Sequence, residues 1–445
     1  MPLGSIDDRV YLDKWKRSKA QGWKRSWPNK RSVDIWHKKY VERQAIARRV
    51  QWDEQKWDQC LASLEKDLKP IVLTPIPLDY APTCFSDLSA SPGIGLTGRK
   101  EYDTKGDIPM TELFTMWDNL KNGRYHQIPD YSIAFRSHLV REGDPPKARV
   151  VLVSPGPLAM VEKCWAEPLY LALKATSYPK PWATGFDWFS GDGARVLQSF
   201  GKNSTSLDFS AFDNCPPPFM IRDIFRIIAR CFKLSGEEEL VFRGIMWSHL
   251  NTWANHNGRR FFLKGGVKTG SSLTHIIGTF ITILMTRYLT DINVESIAFG
   301  DDVIVNTSMS INSISDKAHK TSSFSISKAK SKRGVHWLGL RFDRGRWEVE
   351  NIDRRWGQLF NPEYVGDNED LQGMLLQSHL LAAGTGRMAD DLRGIIHRAG
   401  PRTISPIIDK QMRKCVYLPL GRRNLFKATH IFELESKLKM HMEQS

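Results

Sequence analysis

The chain has 445 residues, 41% of them hydrophobic, and carries a formal net charge of +15 from 64 Lys plus Arg against 49 Asp plus Glu. That is apolar content for a large core, in one elaborate domain or several subdomains, and the basic excess points to nucleic acid first and an anionic membrane surface second. Six cysteines without a C-x-x-C pair exclude an obvious zinc site or disulfide framework and fit a reducing compartment.

No signal-peptide pattern opens the chain. The most apolar run, His275–Leu289, is too short and too interrupted for a bilayer span, so no membrane anchor is expected. Residues 11–31 are dense in Lys and Arg, with Trp15, Trp23 and Trp27 between them. They read as an exposed basic arm, either a solvated tail or an RNA contact. One long helix is expected next, capped by Ser32 and stopped by Pro70. Along it Trp36, Tyr40, Ala47, Val50, Trp57, Leu61, Leu64 and Leu68 form a packing stripe at helical spacing. Residues 70–106, rich in Pro, Gly, Ser and Thr, read as an irregular connector.

From about residue 107, helices and strands alternate. Arg149–Val153 is a strand ended by a Pro-Gly turn, and "TSLDFSAFD" is a strand that runs into a turn. "PPPFMIRDIFRIIARCF" reads as a helix with Pro in its first turn. "GSSLTHIIGTFITILMTRYL" is an apolar helix opened by a Gly-Ser loop. "SIAFGDDVIV" is strand, turn and strand, and "VHWLGLRFDRGRWEV" holds two strands around an Asp-Arg-Gly turn. Beyond about 355 the chain reads as helical and basic, with "RKCVYLPLGRRNLFK" near its end.

Four features fall in order. Asp208 ends an apolar strand, with Asp213 five residues on; "KGGVKTGSSLTH" precedes a helix; Asp301 and Asp302 sit at a hairpin tip; and Arg136, Arg141, Lys147 and Arg149 lie upstream. Buried carboxylates are tolerable when they hold metal. Acids on neighbouring strand ends can share two divalent cations about 3.5–4 Å apart, a pair that activates a hydroxyl and stabilises a departing pyrophosphate. Arg and Lys nearby can meet the charge of a triphosphate. A Gly-Ser loop allows close backbone approach.

This ordered set resembles the palm of viral RNA-dependent RNA polymerases, in a style similar to double-stranded RNA viruses of the partitivirus and picobirnavirus kind. "DFSAFD" looks like the first palm motif, "TGSSLT" the second and "GDD" the third. "SISKAKSKRGVHWLGLRF" is similar to the fourth and fifth, and "KARVVLVSPGP" to the basic fingertip motif. The likeness covers roughly residues 130–345. It implies an α+β right hand closed by fingertips, with a small antiparallel palm sheet. Fingers would take 1–205 (with the basic arm) and 225–268, palm 206–224 and 269–345, and thumb 346–445.

The resemblance also implies roles. Asp208 and Asp301 become metal ligands for two Mg²⁺ or Mn²⁺ ions, with Asp302 auxiliary and the Phe209 carbonyl adding a contact. Asp213 faces the ribose 2′-hydroxyl, and Lys147 and Arg149 face the triphosphate. Thr269, Gly270, Ser271 and Thr274 contact sugar and template. Gly278 stands where many relatives have Asn, and Thr279 is a candidate substitute. Lys330 protonates the leaving pyrophosphate, with Lys328 and Lys332 as neighbouring candidates. Arg136 and Arg141 line the RNA channel. The implied partners are template and nascent RNA, ribonucleoside triphosphates and a viral capsid protein, in host cytoplasm or virion interior. A reverse transcriptase and a non-catalytic RNA-binding protein remain the alternatives. Asp213 argues against the first, because a bulky apolar residue usually stands there, and the full set of acids argues against the second.

Overall fold

The computed structural model describes residues 21–399 except 189–191, 344–345, 364–374, 377, 381 and 384–385, together with Lys16 and Lys19. Trp15 and the basic stretch at 413–427 lie outside the described residues. The expected single long helix is two helices, α1 (Ser32–Arg49) and α2 (Glu54–Leu68). At Val50 the backbone turns extended (ψ 142°), and Asp53 starts α2 by accepting the Lys56 N–H at 2.9 Å. Asp competes for backbone donors inside a helix and does better at its N-cap. Ser32 is not a cap: Arg31 holds that position, and the Ser32 hydroxyl accepts from the Asn29 N–H at 2.9 Å. Tyr40, Ala47, Trp57, Leu64 and Leu68 of the predicted stripe are buried across both helices.

Residues 70–106 are irregular apart from two short 3₁₀ turns, and α3 (Met110–Lys121) follows. A five-stranded sheet then gathers distant segments: β1 (Trp23–Ser26), β2 (Tyr131–Arg141), β3 (Ala148–Val153), β5 (Asn251–His256) and β6 (Arg259–Lys264). The order is β1-β2-β5-β6, with β3 also on β2; β2–β5 is parallel and the other pairings antiparallel. Part of the basic arm thus becomes an edge strand. Between these strands run α4 (Gly156–Ala175), α5 (Asp192–Ser199), α6 (Pro218–Arg230) and α7 (Gly236–Leu250).

The second sheet is small and antiparallel. Its order is β7 (Ser296–Phe299), β8 (Asp302–Asn306), β4 (Ser204–Asp208) and β9 (Lys332–Arg333). Behind it lies α8 (Thr274–Leu289), whose residues from Ile276 onward are all buried. A helix apolar all round belongs in a core, and this one supports β7. After α9 (Ile311–Thr321), a three-stranded sheet of β10 (His336–Trp337), β11 (Leu340–Asp343) and β12 (Arg346–Val349) packs with α10 (Ile352–Phe360) and α11 (Arg387–Ala399). Trp337, Trp347, Trp356, Leu392 and Ile395 form that second core. Among the described residues no helix is long and apolar enough to cross a membrane.

Candidate active site

The register of the small sheet brings the acids together. Asp208, the last residue of β4, stands directly opposite Asp302, the first of β8, and Phe299 pairs with Asp302 across a two-residue turn of Gly300 and Asp301. Gly300 has φ +62°, which an L side chain resists. The turn is pinned from beneath by α8. Thr279 Oγ1 accepts the Gly300 N–H at 3.0 Å, and Thr282 donates to the Gly300 carbonyl at 2.7 Å.

Crowding marks the electrostatics. Asp302 reaches the surface, yet lost hydration and then the charges of Asp301, Asp208 and Glu350 push its carboxyl up to about 7. Asp208 is also raised, chiefly by burial and by Asp301, against the opposing pull of Lys330 and Lys147. Its Oδ1 is buried and, among the described residues, has no hydrogen-bond partner, the Lys330 ammonium standing 3.6 Å away. Its N–H donates to the Ser331 hydroxyl at 3.0 Å, and its carbonyl accepts from Ser327 at 2.8 Å. Among the described residues no three His, Cys, Asp or Glu side chains already form a metal cage. The donor set nevertheless suits a hard divalent cation: an orphaned buried oxygen and mutually repelling carboxylates are what such an ion relieves.

Three lysines competed for one role in the sequence, and the structure separates them. Lys330 Nζ is 3.6 Å from Asp208 Oδ1. Lys328 is paired with Asp316 at 2.8 Å, and Lys332 donates to the Ala329 carbonyl at 3.0 Å. Lys147 is near enough to both Lys330 and Asp208 to feel their charges.

Beside the acids opens a cavity of about 250 Å³ lined in part by Arg149, Phe209, Asp213, Lys268, Thr269 and Asp301. Asp213 sits in a 3₁₀ turn after Ala211, a non-glycine residue at φ +53°. Burial first, then Asp301, raise its carboxyl to about 6, while Arg149 opposes the shift. Lys268 is fully buried, and burial lowers its ammonium to about 7; it donates to the carbonyls of Gly265 and Gly266.

The 269–274 loop is welded to β3 and α4. Thr269 Oγ1 accepts the Leu152 N–H at 2.8 Å. A Cβ on Gly270 would collide with the Leu152 carbonyl and the Ser154 nitrogen, so glycine is required there. The hydroxyls of Ser271 and Thr274 are engaged within the loop: Ser271 Oγ accepts from Leu273 at 3.2 Å, and Thr274 donates to the Ser271 carbonyl at 2.7 Å. Gly270 and Ser271 face a second cavity of about 680 Å³, across the loop from the first.

One expectation is corrected. Thr279 does not reach a nucleotide: it is fully buried, and its hydroxyl is taken by Gly300 and by the His275 carbonyl at 2.8 Å. Arg136 and Arg141 are exposed on β2, each beside an acid. They pair with Glu363 at 3.0 Å and Asp353 at 3.7 Å, and Arg141 also lies over the Trp23 ring. Sequence spacing could not show that acids from the 350s and 360s return to β2.

Glu162 on α4 was missed by sequence reading, because one acid in an apolar helix carries no motif. It is fully buried and accepts the Ser272 N–H at 2.6 Å, while the Ser272 hydroxyl donates to Ala159. Burial raises its carboxyl from 4.5 to about 7. The native state therefore binds this proton more tightly than the unfolded chain. Its contribution to stability is greatest below pH 4.5 and is lost as pH rises through about 7. Glu162→Gln, which keeps the acceptor, is expected to flatten that slope in urea titrations on either side of this window. Glu162→Ala orphans the Ser272 N–H and is expected to cost about 1–3 kcal/mol at any pH.

Comparison with known proteins gives two kinds of match. A family model described as viral RNA-dependent RNA polymerase matches residues 41–364. An RNA-directed RNA polymerase of Cryptosporidium parvum virus 1 (strain KSU-1) is 25% identical over 239 residues, covering 50% of this chain and 44% of that protein. The RNA1 polyprotein of Broad bean wilt virus 2 is 24% identical over 134 residues, 27% of this chain and 7% of the polyprotein. The chain thus spans less than half the length of either relative.

Proposed function

The chain belongs to the viral RNA-dependent RNA polymerases, and from that premise we propose that it copies RNA from ribonucleoside triphosphates at the Asp208–Asp301–Asp302 site. The observation that supports this most directly is the β4–β8 register, which faces Asp208 to Asp302 next to Asp301, the acid that lines the cavity with Asp213 and Arg149. Asp208 and Asp301, with Asp302 and the Phe209 carbonyl, would hold two Mg²⁺ or Mn²⁺ ions. These would supply Lewis-acid activation of the 3′-hydroxyl and charge neutralisation at the leaving pyrophosphate.

The chain's own residues do the rest. Arg149 and Lys147 hold the triphosphate, the 269–274 loop shapes the cavity wall through its backbone, and Lys330 delivers a proton to the departing oxygen. In this reading β1, β2, β3, β5 and β6 belong to the fingers and the small sheet with α8 is the palm. The segment after 346 is the thumb. Template, nascent RNA and capsid protein are its partners, in host cytoplasm or virion interior.

Asp213 supports RNA over DNA synthesis, since a carboxylate accepts from a 2′-hydroxyl that deoxynucleotides lack. A site built to bond a hydroxyl discriminates strongly against its absence. Asp213→Ala is expected to reduce the ribo- over deoxynucleotide preference by about 10²-fold, read as the ratio of kcat/KM values on one defined RNA template. Equal preference in wild type and variant would remove Asp213 from the sugar site. Failure of the wild type to incorporate ribonucleotides on any RNA, with Mg²⁺ or Mn²⁺, would overturn the polymerase reading itself.

A further inference from the structure

The β5–β6 hairpin has one buried face and one open face. Thr252, Ala254, Phe261 and Leu263 point inward. The opposite face carries three cross-strand pairs in register: Asn251 with Lys264, Trp253 with Phe262, and Asn255 with Arg260. Trp253 is 43% exposed and Phe262 42%, with ring centroids 5.0 Å apart. The Arg260 guanidinium lies 4.5 Å from the Trp253 ring centre, held by two hydrogen bonds to Asp130 at 2.6 and 2.8 Å. Among the described residues β6 ends its sheet, so one flank of this face carries no further strand there.

Single exposed aromatic residues are ordinary. A paired Trp and Phe framed by two cations and two amides is not, because two large rings forgo burial together. The framing chemistry selects the occupant. On the open face the charged side chains are cations, and the carboxylate that touches it, Asp130, is already engaged by Arg260. Nucleobases offer π-faces to the rings, and phosphates offer charge to Lys264, while Arg260, paired with Asp130, braces the Trp253 ring. Strand geometry sets the spacing: alternate residues lie about 6.7 Å apart, so Lys264 follows Phe262 on this face at the reach of a phosphate beside a stacked base. Leu263, on the buried face, borders the cavity at Asp213. The open face therefore lies across the hairpin from that cavity.

We propose that this face is a second contact for single-stranded RNA, outside the catalytic cavity, with bases on Trp253 and Phe262 and a phosphate on Lys264. It rests on the polymerase reading, which supplies the RNA. The test is fluorescence anisotropy with a long single-stranded oligoribonucleotide, alongside incorporation on a short primed template at saturating RNA.

Trp253→Ala/Phe262→Ala is expected to weaken binding roughly tenfold or more, with saturated incorporation unchanged. Trp253→Phe should restore most of the affinity. Lys264→Gln is expected to reduce the salt dependence of binding by about one unit of slope, and it carries the test if the aromatic variant does not fold. Wild-type affinity and salt slope in these variants, from protein that binds RNA and incorporates nucleotide, would overturn the proposal and fit a protein-docking face instead. A wild type that incorporates nothing would overturn the polymerase reading.

Discussion

Asp208→Ala and Asp301→Ala are each expected to lower ribonucleotide incorporation by about 10³-fold or more while leaving RNA affinity and the folded state in place. A divalent cation contributes several kcal/mol to stabilising a phosphoryl-transfer transition state, and about 4 kcal/mol corresponds to 10³ in rate. Asp208 ends a central strand and Asp301 occupies an exposed turn, so neither side chain carries packing that alanine would undo. Asp302→Asn is expected to cost less, about tenfold, since its proposed role is that of an auxiliary ligand. In metal-free protein the same change has the opposite sign on stability. The Asp302 carboxyl is raised to about 7, so ionising it in the native state is unfavourable, and above that pH asparagine removes a repulsion. Loss of activity together with a higher melting temperature in chelator would identify the acid cluster as a strained functional site. Full activity in Asp208→Ala or Asp301→Ala would remove the substituted residue from the catalytic centre.

The elements that build this site were legible because each carries a strong local signal. β4, the β7–β8 hairpin and α8 are short apolar runs punctuated by Gly, Asp or Ser, and the structure places them as the sequence predicts. What was not legible depends on contacts across the chain. The break between α1 and α2 rests on one Asp cap inside an otherwise continuous stripe. Thr279 looked like a polar group near a nucleotide, yet its helix face turns toward Gly300. Glu162 reads as a chance acid until α4 docks on the loop at Ser272. The cap is a local contact, whereas for Thr279 and Glu162 the partner that decided the role lies 21 and 110 residues away.

Lys330→Ala is expected to reduce kcat by about 10²-fold, the lower end of what a positioned general acid contributes, with little change in KM for nucleotide. Lys328→Ala and Lys332→Ala are the controls. Their ammonium groups are engaged by Asp316 and by the Ala329 carbonyl, so both variants should stay near wild type. Lys330 also neutralises Asp208, at 3.6 Å, and an alanine loss alone would not separate charge from proton delivery. Lys330→Arg does. Guanidinium keeps the positive charge but cannot release a proton at working pH. If Lys330 acts as an acid, arginine should recover nucleotide and metal affinity without recovering kcat. If it acts only as a counter-charge to Asp208, arginine should recover kcat as well. At 3.6 Å from Asp208 Oδ1 the ammonium is placed for either role, so the arginine variant decides between them.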